Sequence, residues 1–171
     1  VLPGEPTSII IEEGYKPQIS ELGARHPVTA GLENFSPNPT TDAGPGWGRW
    51  FRLIELGNTR GHTVMTGPDE KPLLVLDRVG EGRVALLASD HAWLWGRGYE
   101  GGGPQLELLR RLAHWMMKEP ELEEDVLTAI ADGQNITITR RMIEGSPSDV
   151  TITEPNGATA TITLSETAPG V

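Results

Sequence analysis

The sequence predicts an α/β layer followed by a small antiparallel β module, and three observations carry that prediction. Residues 73–76 and 84–88 are apolar runs without alternation, the pattern of strands covered on both faces. Residues 104–118 then repeat apolar side chains at helical spacing. Beyond Pro120 the period changes to two, with threonines between aliphatic residues, as in a sheet with one buried face.

In chain order, the apolar run Ser8, Ile9, Ile10, Ile11, Glu12 is of strand type, and residues 17–32 carry turn signals at Gly23, Pro27 and Gly31. Residues 33–48 form a loop, because Pro37, Pro39, Gly44, Pro45 and Gly46 prohibit regular structure. The aromatic-rich residues 47–54 resume as a strand, and 63–66 form another. Residues 72–79 and 83–89 pair as a hairpin through Gly80, Glu81 and Gly82, whose glycines supply the positive φ of a tight turn. Pro104 suits the first turn of a helix. Its stripe of Leu108, Leu109, Leu112, Trp115 and Met116 should dock on the sheet, opposite Glu107, Arg110, Arg111, His114 and Lys118, until Pro120 ends it.

Residues 126–131, 135–141, 149–154 and 158–165 read as strands, with turns at Asp132, Gly133 and at Pro155, Asn156, Gly157. Four short strands at this spacing point to an immunoglobulin-like or fibronectin-like module, and since such a sandwich takes about seven strands, the expectation is a truncated one. Glu121, Glu123, Glu124 and Asp125 make an acidic connector over 119–125, so the division expected is 1–120 and 121–171.

Charge follows the same division. The net charge of -10 splits into 14 acids and 12 bases over residues 1–118, and 10 acids and 2 bases over 119–171. An acidic field repels phosphate backbones and anionic lipid headgroups, which argues against nucleic acid and membrane-surface partners. No window approaches the roughly 20 apolar residues of a membrane span, and Val1, Leu2, Pro3, Gly4 and Glu5 lack the features of a signal peptide. A soluble segment without direct membrane insertion is expected. The absence of cysteine rules out a disulfide framework, a thiolate nucleophile and any cysteine-based zinc site within the chain.

Chemistry is concentrated where the second apolar strand ends in Ser89, Asp90 and His91. A histidine at a strand end just ahead of a helix is a common catalytic placement in α/β enzymes. Asp90 is a poor orienter for it, since adjacent strand residues point to opposite faces. The plainer reading of His91 is a satisfied polar residue, with the lining of a cleft as the alternative. His26 reads as a turn residue and His62 as a loop residue, neither with a partner at metal spacing, and His114 lies on the polar helix face. Gly96, Arg97, Gly98, Tyr99, Glu100 and Gly101 match the letters of a dinucleotide fingerprint, but Ala92 to Trp95 separate them from the strand, so no cofactor is expected. Those glycines let a loop cross the sheet edge, with Trp93, Trp95 and Tyr99 packed beneath it or offered to a partner together with His91.

The runs His26, Pro27, Val28, Thr29, Ala30, Gly31, Leu32, then Trp47, Gly48, Arg49, Trp50, then residues 72–95 resemble the later half of a class I glutamine amidotransferase-like domain. The version most similar is embedded in large bacterial membrane-anchored proteins of unknown function. The resemblance spans about residues 5–130 and implies a partial flavodoxin-like layer, followed here by the immunoglobulin-like segment. It also implies a Cys nucleophile upstream of residue 1, and a His and Glu two residues apart at a strand end. His91 matches that histidine, and Trp93 stands where the glutamate would be. The function expected is therefore a non-catalytic interaction or scaffold module, with a protein partner or self-association through an uncovered strand edge. The alternative is a hydrolase fragment whose nucleophile lies upstream, with His91 as base.

Overall fold

The computed structural model describes residues 2–41, 44–143, 145, 149–167 and 171. They fall into two compact units, Val1–Glu123 and Glu124–Val171. In chain order the first unit runs β1 (Gly4–Ile11), β2 (Gln18–Ile19), α1 (Glu21–Arg25), β3 (Leu53–Thr59), β4 (His62–Thr66), β5 (Pro72–Val79), β6 (Gly82–Leu87), α2 (Trp93–Gly96) and α3 (Gln105–Met116). The second carries β7 (Val126–Asp132), β8 (Asn135–Arg141), β9 (Val150–Thr153) and β10 (Thr159–Ile162).

Every strand pairing between these elements is antiparallel, which corrects the expected flavodoxin-like α/β layer. The central sheet has the order β2-β4-β5-β6, and β1 and β3 form a separate two-stranded ribbon. An unalternating apolar run reports that both faces of a strand are covered and says nothing about the direction of its neighbours. Leu73, Leu74, Val75 and Leu76 of β5 are indeed all buried. The two covers can be read from β6, whose residues 83 and 86 point to opposite faces. The Arg83 guanidinium lies 5.1 Å over the Trp115 ring of α3. Leu86 lies 3.4 Å from where a Cβ on Gly4 of β1 would stand. One face therefore packs on α3 and the other on the ribbon.

The β5–β6 hairpin closes with Val79 opposite Gly82, leaving Gly80 and Glu81 as a two-residue turn. Gly80 has φ 58°, a conformation that such a turn requires and a side chain resists. Helix α1 falls where only turn signals were expected. Ser20 caps it by accepting from the Gly23 N–H at 2.8 Å, while its own hydroxyl donates to the Thr63 carbonyl of β4 at 2.6 Å. Gly23 lets the helix lie on β4, because a Cβ there would overlap the Val64 carbonyl oxygen.

Helix α3 begins one residue after Pro104, and its docked face is narrower than the stripe expected. Leu108, Leu112 and Trp115 are buried, whereas Leu109 and Met116 are 48% and 47% exposed. At about 100° per residue, the first three share an arc of some 60° and the other two stand well round from it. The strand expected over 47–54 starts only at Leu53, and residues 47–52 are irregular. No helix among the described residues is long and apolar enough to cross a membrane.

The second unit consists of two hairpins, β7-β8 and β9-β10, each a two-stranded sheet. This corrects the expected immunoglobulin-like module, in which strands are shared between two facing sheets. Each hairpin closes locally, one through Gly133 at φ 62° and the other through Gly157 at φ 87°, and no ladder joins them among the described residues. Cross-strand register gives β9-β10 one face of Val150, Ile152, Ala160 and Ile162, and another of Thr151, Thr153, Thr159 and Thr161.

Candidate functional site

The site grows from the end of β6. Past Leu87 the chain makes one more ladder contact on each side: the Ala88 N–H donates to the Leu73 carbonyl and the Ala88 carbonyl accepts from Ile54, both at 2.8 Å. Ser89, Asp90 and His91 then turn away into α2. Ser89 is buried, and its hydroxyl donates to the Arg52 carbonyl at 2.6 Å while accepting from the His91 N–H at 3.2 Å. The Tyr15 hydroxyl donates to the same Arg52 carbonyl at 3.0 Å. Burial, aided by the charge of Asp90 and opposed by its bond to Ser89, pushes the Tyr15 phenol up to about 12, so it remains a donor at any working pH.

His91 completes this clamp. The Phe51 N–H donates to its Nδ1 at 3.0 Å. In the neutral ring Nδ1 therefore carries the lone pair, and Nε2 carries the proton. Asp90 lies on the Nε2 side, with Oδ1 at 3.8 Å, beyond hydrogen-bond range, while Oδ2 is 3.5 Å from the Arg52 guanidinium. The alternation argument that separated Asp90 from His91 does not hold, because both sit in a turn and not in a strand. The geometry nevertheless denies them a base-and-orienter pair. One imidazole nitrogen accepts from the backbone, and the other lies 3.8 Å from the carboxylate, too far for a hydrogen bond.

Trp93 occupies the position two residues after His91, with its ring edge-on at 6.5 Å and an interplanar angle of 82°. It is 53% exposed, and Tyr99 is 42% exposed. Trp95 has the opposite fate: it is buried, donates from Nε1 to the Gly48 carbonyl at 2.8 Å, and packs against Trp47 and Trp50 with centroids 5.1 and 4.7 Å away. Phe51 meets Tyr99 edge-on at 5.6 Å, and the Arg49 guanidinium lies 5.4 Å over the Phe51 ring. The result is a surface band, Trp93, His91, Phe51 and Tyr99, above a buried cluster of three indoles.

Side chains hold the 47–52 segment in place of a sheet ladder. Tyr15 exchanges both backbone bonds with Trp50, and its hydroxyl, Ser89 and His91 satisfy the peptide groups of Phe51 and Arg52. Arg52 reaches outward to Glu12 at 3.2 Å as well as to Asp90. Tyr15 and Arg52 carry no sequence signal for this role, since contact across 37 residues of separation leaves no periodicity.

His26 and His62 show the same limit. They are far apart in the chain, yet their ring centroids lie 6.4 Å apart, with His26 fully buried and 5.8 Å from Trp115. His26 is the C-terminal cap of α1, and its Nδ1 accepts from the Val28 N–H at 3.2 Å. Two imidazoles are half of a tetrahedral metal set. Comparison with protein-family models, with curated proteins and with solved structures finds no match to this chain.

Proposed function

We propose that the chain is a non-catalytic interaction module of a bacterial protein anchored in a membrane elsewhere in its sequence, and that the band around Trp93 and Tyr99 meets a protein partner. The observation that carries the non-catalytic part is the Phe51 N–H bond to His91 Nδ1. It makes the strand-end histidine a backbone acceptor, and Trp93 leaves no carboxylate in the neighbouring triad position. The exposed indole and phenol support the partner, because tryptophan and tyrosine half in water and half on a packed support are the side chains that dominate protein interfaces. Membrane anchoring of the parent rests on the sequence resemblance.

Activity and stability of the same residue test this reading. The purified chain is expected to release no ammonia from glutamine, and His91→Phe is expected to lower unfolding free energy by about 1–3 kcal/mol, the cost of leaving the Phe51 N–H unpaired. Ammonia release that disappears in His91→Ala would overturn the proposal. For the surface, a photocrosslinking residue at position 93 or 99 should capture a partner or a second copy in cells, and one at the Gly80 turn should not. Equal capture at all three positions counts against the band.

A further inference from the structure

The glycine-rich segment that failed as a dinucleotide fingerprint lies across the 47–51 segment as a strap. Gly98, Gly101 and Gly102 have φ 73°, 93° and 76°, and Gly102 combines this with ψ -155°, a region open only to glycine. A Cβ at Gly103 would overlap the Trp95 ring, and one at Gly48 would overlap the Tyr99 carbonyl oxygen, so strap and segment touch backbone to backbone. Among these glycines sits Glu100 at φ 49°, ψ 37°, a left-handed conformation that its side chain disfavours.

Few attachments keep it there. The Gly48 N–H donates to the Gly102 carbonyl at 2.7 Å. Arg49 grips the Glu100 carboxylate with Nε at 2.9 Å and Nη2 at 2.5 Å, and its backbone N–H adds a third bond at 3.2 Å. The pair is open to solvent, with side chains 46% and 31% exposed. Beneath lies the buried indole cluster, in which Trp50 Nε1 has no hydrogen-bond partner among the described residues. Releasing the strap would relieve the backbone of Glu100 and return to five glycines the freedom that folding took from them. Against that gain stand one screened ion pair, the backbone bonds of Gly48 and Arg49, and the edge contact of Tyr99 with Phe51.

We propose that residues 96–103 form a strap with an open and a shut position, and that the Arg49–Glu100 ion pair is the latch that keeps it shut over Trp47 and Trp95. This is a property of the chain's own equilibrium and stands whether or not Trp93 and Tyr99 meet a partner.

Amide hydrogen exchange on the full chain tests it. The reporters are Gly48, whose N–H bonds to the strap, and Gly102, whose N–H donates to the Tyr99 carbonyl within it. Glu100→Ala keeps the left-handed backbone demand and removes the carboxylate. It should speed exchange at both reporters by the same factor, about 1.5- to 5-fold for an exposed pair. Ile54, bonded to Ala88 away from the strap, should not change. Arg49→Met should give the same factor, and the double variant no more than either single one. Four results would each overturn the proposal: unchanged rates at both reporters, acceleration at Gly102 alone, additive single effects, or equal acceleration at Ile54.

Discussion

Folding lowers the carboxyls of Glu107 and Glu100 well below the usual glutamate range. Arg110 binds Glu107 through Nε and Nη2 at 2.9 and 2.8 Å, Arg111 adds a bond at 2.7 Å, and together they outweigh burial and hold the Glu107 carboxyl at about 2. Arg49 does the same for Glu100, also against a burial effect, to about 2. Both folded values lie below the roughly 4.3 of a glutamate in an unfolded chain. The unfolded state therefore binds more protons between those limits, and stability rises with pH across that window. The contribution is whole above about pH 5 and drains away as the pH falls through the folded value near 2. The denaturant midpoint of the wild type is expected to fall over that range, and Glu107→Gln should flatten the fall. An identical pH slope in the variant would remove Glu107 from the account.

Helix α3 separates core from surface within one apolar sequence. Leu112→Ala should cost about 2–5 kcal/mol in chemical denaturation, the range for truncating a buried leucine. Leu109→Gln should stay within about 0.5 kcal/mol. Comparable losses at the two sites would place Leu109 in a core that the structure does not assign it. This helix also shows what could be read in advance. Its existence, its Pro104 start and its Leu108, Leu112, Trp115 face follow from spacing. Leu109 and Met116 were assigned to the same face because spacing alone does not say how wide a stripe the sheet will cover. The β5–β6 hairpin was equally legible, turn glycine included, because hairpin pairing is local. Strand direction in the rest of the sheet was not, since β5 would carry the same apolar run between parallel or antiparallel neighbours. The site divides the same way: Ser89, Asp90, His91, Trp93 and Tyr99 were singled out from local order, whereas Trp95, expected on the same cleft or partner surface, is buried. Tyr15, Arg52 and the 47–52 segment they hold came only with long-range contacts.

The two units differ in how much holds them together. The first ends in a turn, Pro120–Leu122, that the acidic character of its neighbours would suggest is loose. It is tied down: Arg83, with a side chain only 4% exposed, donates to the Trp115 carbonyl and to Glu123, each at 2.5 Å, and Arg78 reaches Glu123 at 3.1 Å. Leu122 packs on the core beside them. A Glu-directed protease is therefore expected to leave Glu121 and Glu123 intact in the wild type while cutting more exposed glutamates first. Arg83→Gln should make those two sites the early ones. Early cutting there in the wild type would show the ties to be weaker than their geometry. The indole cluster has a further consequence at this scale. Trp47, Trp50 and Trp95 lie ring to ring at tilts of 39° and 51°, near enough for their excited states to mix. The fold thus contains a chromophore that no single tryptophan has, whose circular dichroism depends on three rings contributed by two separate stretches of chain. Its signal reports whether those stretches are seated together, and it would fade while strand and helix bands persist.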